Sequence, residues 1–329
     1  MAAVVLDGNA VAGEIVAALR PHIDALTKQG RPPRLAAVRA NDNKASAFYA
    51  NIQKKWCEEN GVAYLLEELG ADASDATILS AIQKHNADPK TSAILLHTPL
   101  PAGADAAALT RAIRPEKDAE GMHPQNLGRL LFDPDPVPGP CTAVGAVKLA
   151  LRACPQMRGK DAVVVGHSQI VGRPAALLLL AQNASVSVAH IYTRDLARVT
   201  RGAEILIVAT GAAGYRYAAY EKALAAHKKG KGQRPAPCDL SYLIRADMVK
   251  KGAVVIDVGV NRVPRALDAG GEPARNPRTG RPELLTVGDV DFENVKEVAS
   301  AITSPRGGTG PMTNAILLRN TVLAARALD

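Results

Sequence analysis

The stretch Gly166-His167-Ser168-Gln169-Ile170-Val171-Gly172-Arg173-Pro174 constrains the fold more than any other part of the chain. It follows the apolar run Asp161-Ala162-Val163-Val164-Val165, which reads as a buried strand, and precedes Ala175 to Ala181, which reads as a helix. Strand, glycine turn and helix in that order suggest a phosphate-binding turn. A helix N-terminus presents unpaired amides and a positive dipole end to a nucleotide pyrophosphate. Gly166 permits the tight turn and Gly172 close helix packing. The spacing departs from GxGxxG, because Ser168 takes the second glycine position, Val171 the third, and Gly172 comes one residue late. The departure weakens a cradle made of backbone alone and leaves the Ser168 hydroxyl as a candidate phosphate donor. The plain alternative is a strand-to-helix connection with no ligand.

The flanking sequence repeats the strand-helix alternation. Ile15, Leu19, Ile23 and Leu26 mark a helix over about residues 11–29, which Pro21 should kink or split and Gly30 should end. Strands at 34–38, 62–66 and 93–96 alternate with helices at 44–60, 74–85 and 105–113, the signature of a parallel α/β sheet. Phe132 to Pro140 holds four prolines and reads as a linker. Beyond a connecting helix at 142–153, strands at 161–165, 186–189, 204–208 and 253–258 complete a doubly wound nucleotide-binding domain. Two segments interrupt it: 213–241, with a short helix at 218–227, and 263–283, an exposed loop rich in Gly, Pro and Arg. Gly307 to Thr313 is a glycine-rich turn feeding a terminal helix at 314–328; it either brings backbone close to a ligand or acts as a hinge.

A length of 329 residues fits about two domains of ~150 residues each. The formal charge of +8 permits anionic ligands such as nucleotides or polyglutamates. Only 3% of residues are aromatic, which argues against base-stacking surfaces, and the basic run His227 to Arg234 reads as a solvated loop, so no nucleic-acid partner is expected. Four cysteines without CxxC spacing indicate neither zinc nor disulfides and suit a reducing cytoplasm. No apolar run approaches the ~18 residues of a membrane helix, so no membrane partner is expected.

Ser46 to Tyr49, Asp118 to Pro124, Pro140-Cys141-Thr142, Gly166 to Pro174, Ala253 to Arg262, Val287 to Asp291 and Gly307 to Thr313 together resemble the methylenetetrahydrofolate dehydrogenase/cyclohydrolase family. The series runs in order over nearly the whole chain apart from the two long segments. The resemblance implies an α/β fold of two domains, a substrate domain at 1–141 and 306–329 and a Rossmann-type NAD(P)-binding domain at 142–305. The C-terminal helix would return to the first domain, and the folate would lie in the cleft between them. Hydride would pass from methylenetetrahydrofolate to the oxidised nicotinamide, giving methenyltetrahydrofolate. Water opens that ring in bifunctional members, and the family usually works as a homodimer.

Carried over by position, Tyr49, Gln53, His97 and Glu120 are the catalytic and substrate-binding candidates, joined on the substrate side by Gly310 and Pro311. The cofactor candidates are Thr142, Gly166, His167, Ser168, Ile170, Val171, Arg173, Pro174, Tyr192, Thr193, Thr210, Gly211, Gly259 and Thr313. Three candidates in the substrate pocket depart from the family. Gln53 stands where it has lysine, one helical turn after Tyr49, while Lys54 and Lys55 point about 100° and 200° away. His97 replaces a glutamine, and Glu120 replaces an aspartate that can pair with a pterin's NH groups.

Hydride transfer needs chiefly position and orientation, whereas water attack on the methenyl carbon needs a tuned acid or base. Gln53 cannot titrate. Dehydrogenase activity is therefore expected to survive and cyclohydrolase activity to be weak or absent, unless the His97 imidazole relays a proton; the plain alternative is that His97 merely bonds a neighbouring backbone group. Ile191 and Tyr192 replace a serine and a basic residue, but Arg173, His167 and Arg194 remain and no early acid appears. NADP is the expected cofactor and NAD the alternative. Competing readings are a dehydrogenase for another reduced pterin such as methylene-tetrahydromethanopterin, and a non-catalytic nucleotide-binding module.

Overall fold

Residues 2–327, the part that the computed structural model describes, form alternating strands and helices in two units. One unit combines the residues up to Asp7 with Lys148–Thr309, and the other combines Gly8–Val147 with the stretch from Gly310.

The chain opens with β1 (Val4–Leu6), which pairs with a strand near residue 301 and so lies in the larger sheet, not with the substrate-domain residues expected beside it. Then α1 (Gly8–Lys28) runs unbroken through Pro21, where a kink or split was expected. Pro21 and Ala17, whose carbonyl loses its donor, are both exposed, so water replaces the missing bond. Leu19, Ile23 and Leu26 stay buried on the opposite side and hold the helix to its unit.

Next come β2 (Arg34–Ala40), α2 (Lys44–Glu59), β3 (Ala63–Leu69), α3 (Asp75–Ala87), β4 (Ala93–His97), α4 (Ala106–Ala112) and α5 (Pro124–Arg129). The three strands form a parallel sheet in the order β3-β2-β4, with Val38 opposite Leu96 and Arg39 opposite His97. All five residues of β4 are buried, as its apolar run requires. Side chains cap the helices: Asn43 accepts the Ala45 and Ser46 amides, Ser74 that of Thr77, and Asp105 that of Ala108. Residues 132–140 form no helix or strand, and the chain passes into α6 (Cys141–Ala153).

The second unit adds β5 (Asp161–Val165), α7 (Gly172–Ala181), β6 (Ser185–Ala189), α8 (Leu196–Thr200), β7 (Ile205–Val208), α9 (Ala212–Lys228), β8 (Val254–Asp257), β9 (Asn261–Pro264), β10 (Leu284–Val287), α10 (Phe292–Val295) and β11 (Ala301–Thr303). Its six-stranded sheet has the order β1-β11-β8-β7-β5-β6, and every pairing is parallel. The inner strands β5, β7, β8 and β11 are buried because helices and loops cover the sheet, whereas the edge strands β1 and β6 are largely exposed.

Two segments are more ordered than the sequence suggested. In place of a short helix at 218–227, α9 extends over 17 residues and packs Ala213, Tyr217, Tyr220 and Leu224 against Val263. The loop expected at 263–283 springs from an antiparallel pair, β9 with β10, in which Asn261 faces Val287.

The described residues end with α11 (Thr309–Ala327), part of the three-stranded unit beyond Gly310. Its helix starts before the expected Asn314, so Gly310 and Pro311 occupy its first turn. Pro311 is tolerated there because first-turn amides have no intrahelical acceptor.

Candidate active site

The glycine turn between β5 and α7 is built as its sequence requires. Gly166 has φ +118°, and its amide donates to the Ala189 carbonyl at 2.8 Å. A Cβ on Gly166 would collide with the Ala209 carbonyl, and one on Gly172 with the carbonyl of Gly166. Ser168 Oγ accepts the Val171 amide at 3.1 Å and the Gly172 amide at 3.3 Å. Those amides are thereby satisfied, and the hydroxyl proton is what Ser168 retains for an anion. Pro174 is buried, whereas His167, Ile170 and Arg173 are exposed at the mouth of the turn.

The loop after β6 faces the same turn. The His167 and His190 rings lie 4.8 Å apart between centroids, and His190 meets Tyr192 edge-on at 5.9 Å. Thr193 Oγ1 accepts the His190 amide at 2.9 Å, and His190 Nδ1 accepts the Tyr192 amide at 3.2 Å. This leaves neutral His190 with its proton on Nε2. His190 was not among the sequence candidates, yet it joins two of them.

Thr210 and Gly211 follow β7, and Gly259 follows β8, so all three occupy the C-terminal edge of the parallel strands where this architecture binds ligands. The amides of Thr210 and Gly211 and the Thr210 hydroxyl are already given to the buried Asp289 carboxylate. What they can offer a cofactor is carbonyl and methyl surface.

In the three-stranded unit, Tyr49 and Gln53 lie one turn apart on α2, and Tyr49 is 50% exposed. Gln53 Oε1 is buried with no hydrogen-bond partner. Lys54 and Lys55 are exposed and pair along the helix with Glu58 and Glu59 at 3.8 and 3.7 Å, so neither takes the place of a lysine at Gln53.

His97 ends β4, and its Nε2 is also buried without a partner, which removes a backbone bond as the explanation for that nitrogen. Burial and, secondarily, the Arg39 charge push the imidazole down to about 4. Glu120 follows Asp118, whose backbone bridges Ile94 of β4, so Glu120 and His97 lie on adjoining backbone segments. Burial, then the Asp118 charge, pushes the Glu120 carboxyl up to about 7.

Sequence reasoning missed the part played by Asp118. Its buried carboxylate accepts the amides of Glu120 at 3.2 Å, Gly121 at 3.0 Å and His123 at 2.7 Å, together with Asn126 Nδ2 at 3.0 Å. The signal was an aspartate three residues before a glycine, a turn in which the side chain bonds its own following backbone. Gly121 has φ +69°, and a Cβ there would collide with Gly139.

The residues after the proline-rich linker divide by role. Cys141 is buried and donates to the Ala119 carbonyl at 3.4 Å; burial first, then Glu120 and Asp118, raise its thiol well above the usual range. It is packing, not a nucleophile. Thr142 Oγ1 lies 3.2 Å from Thr313 Oγ1, linking the starts of α6 and α11. The space a Cβ would take at Gly310 is open, so sterics within the chain do not require that glycine.

The catalytic-domain profile of the tetrahydrofolate dehydrogenase/cyclohydrolase family matches residues 6–120, and its NAD(P)-binding-domain profile matches 140–219 and 238–328. The bifunctional protein FolD of Brevibacillus brevis is 40% identical over 326 residues, covering 99% of this chain and 98% of its own. The structure of the bifunctional FolD methylenetetrahydrofolate dehydrogenase/cyclohydrolase from Campylobacter jejuni superposes with TM-score 0.79 at 36% identity, covering 99% of each chain. The Trypanosoma brucei methylenetetrahydrofolate dehydrogenase-cyclohydrolase, solved with NADP and an inhibitor, gives TM-score 0.80 at 30% identity, over 99% of this chain and 98% of its own. The chain belongs to the tetrahydrofolate dehydrogenase/cyclohydrolase family.

Proposed function

We propose that this chain is an NADP-dependent methylenetetrahydrofolate dehydrogenase whose second, hydrolytic activity is weak. The dehydrogenase reading is carried by the family match, which covers the folate-side and nucleotide-side parts of one chain in order. The three-stranded unit with α11 is then the substrate domain and the six-stranded unit the cofactor domain.

The residues of the glycine turn fit a dinucleotide. Gly166 and Gly172 allow the close backbone packing that shapes the turn, the Ser168 hydroxyl has a free proton, and Arg173 stands exposed beside it. Bound there, NADP supplies a nicotinamide that accepts hydride. His167, His190 and Tyr192 form a ring surface for the adenosine end, with Thr193 bracing the loop. Ile170, Val171, Pro174, Thr210, Gly211 and Gly259 shape the seat, and Thr142 and Thr313, paired at the starts of α6 and α11, are the remaining cofactor candidates.

On that side, Glu120 accepts from the pterin amino and ring NH groups when ionised, orienting the methylene carbon. The Tyr49 ring and the first turn of α11 at Gly310 and Pro311 flank the substrate. Gln53 Oε1 and His97 Nε2 are buried polar atoms without a partner and are available to it. They orient substrate or water by hydrogen bonds, and loss of hydride leaves a methenyl cation beside these polar groups.

Opening of the methenyl ring needs a group that moves a proton. Gln53 has none, and His97, held near 4, is neutral at pH 7 and a poor base. That leaves Glu120 alone and slows the second reaction. A homodimer in the cytoplasm completes the reading, to be checked by sedimentation velocity. Among the described residues no helix is long and apolar enough to cross a membrane.

The deciding assay uses purified protein with methylenetetrahydrofolate or methylene-tetrahydromethanopterin, each with NADP and NAD, and follows decay of the methenyl product. Turnover with the folate and NADP, with decay near the uncatalysed rate, is expected. Efficient hydrolysis would overturn the second part, and turnover restricted to the methanopterin would overturn the first. Gln53→Lys should gain hydrolysis at least tenfold.

A further inference from the structure

Two acidic residues outside the candidate set lie in the loops that carry Thr210, Gly211 and Gly259. Asp289 is only 1% exposed. Its Oδ2 accepts the Thr210 amide at 2.7 Å, the Thr210 hydroxyl at 2.8 Å and the Gly211 amide at 2.9 Å. Its Oδ1 accepts the Ala212 amide at 3.1 Å and Asn261 Nδ2 at 3.0 Å. Such a set saturates a carboxylate. Asn261, wholly buried, accepts the Gly214 amide at 2.8 Å and donates to the Gly288 carbonyl at 3.0 Å.

Asp257 ties the same loops from the end of β8. It accepts the amides of Gly259 at 2.9 Å, Asp289 at 3.1 Å and Val290 at 3.0 Å. The two acids interlock through glycines: a Cβ on Gly259 would collide with the Asp289 carboxylate, and one on Gly288 with that of Asp257. Burial and the Asp289 charge push Asp257 up to about 7 against those three amides.

The first amides of α9 would ordinarily be available to an anion, as at any long helix N-terminus. Here a side chain of the chain itself fills them, so α9 does not compete with α7 for phosphate. We infer that Asp289 is a positioning residue for the nucleotide cofactor: its carboxylate fixes the Thr210–Ala212 turn against Gly259 and Asn261 before the cofactor binds. The inference rests on the dehydrogenase reading.

The test measures the NADP dissociation constant by calorimetry, the KM of each substrate, and thermal unfolding, for wild type, Asp289→Asn, Thr210→Val and Thr210→Ser. An asparagine turns an NH2 donor toward amides that need an acceptor. Asp289→Asn should weaken NADP at least tenfold and change the folate KM less than twofold. Thr210→Val, which removes one donor and keeps the carboxylate, should weaken NADP about threefold, and Thr210→Ser should restore it. Unchanged NADP affinity in Asp289→Asn, or an equal rise in both KM values, overturns the inference. If Asp289→Asn does not fold, the Thr210 pair decides. Wild type that binds NADP without turnover counts against the dehydrogenase reading, and the binding series still judges Asp289.

Discussion

His97 and Glu120 are shifted in opposite directions by one cause, because burial disfavours whichever form carries charge. The consequences for stability oppose each other. His97, depressed from 6.5 to about 4, contributes stability that is present above pH 6.5 and lost as pH falls toward 4. Glu120, raised from 4.5 to about 7, contributes stability that is present below pH 4.5 and lost as pH rises through 7. Relative to wild type, His97→Asn should therefore gain about 2 kcal/mol between pH 7.5 and pH 5, read from urea unfolding at both values. A gap that stays constant with pH would show that His97 titrates normally. For activity, Glu120 loses its charge below pH 7, so the folate KM should climb several-fold from pH 8 to pH 6. Glu120→Gln should flatten that climb and start from a higher KM. The identities of these residues were readable in the sequence; their shifts were not, because burial is a property of the folded pocket. Asp118 was visible only as part of a motif, since its bonds to three following amides depend on the turn it makes.

Single elements show where local pattern suffices and where packing overrides it. Spacing alone located β5, α7 and the glycine turn, because an apolar strand, two glycines and an apolar helix leave few other arrangements. Spacing also locates α1, but Pro21 inside it argues for a kink or a split. The helix persists because the lost bond faces water and the apolar stripe on the other side is untouched. Pro21→Ala should restore that bond and stabilise the protein by about 1–3 kcal/mol, less the entropy that proline removes from the unfolded chain. A lower melting temperature for Pro21→Ala would mean that proline is favourable at this site. In α9 the positions 213, 217, 220 and 224 do follow a helical stripe, but their partner Val263 is 39 residues beyond the last of them. Nothing local shows that the stripe has a surface to cover. Asp289 satisfies the first turn of that helix from farther still.

For the whole molecule, the two-part α/β plan was legible because strand-helix alternation breaks at a run of prolines and then resumes. The membership of the first residues was not legible. Strand β1 has three residues, and its partner is read almost at the other end of the chain: Val4 lies opposite Ala301. No window of sequence carries that pairing. A chain ending at residue 300 would lose β11 from one unit and α11 from the other. It should show no cooperative thermal transition by circular dichroism, whereas loss of the exposed 229–237 segment should leave the transition within a few degrees.

The pairing of β1 with β11 also bears on how the protein is made. During synthesis, β1 leaves the ribosome about 300 residues before its partner β11, so the six-stranded sheet stays incomplete until residue 303 has emerged. The three-stranded unit waits equally for α11. Both units are completed by residues 301–327, which makes that segment a checkpoint: a message truncated before it gives a chain in which neither unit is finished, and quality control meets an unfolded substrate, not a half-working enzyme.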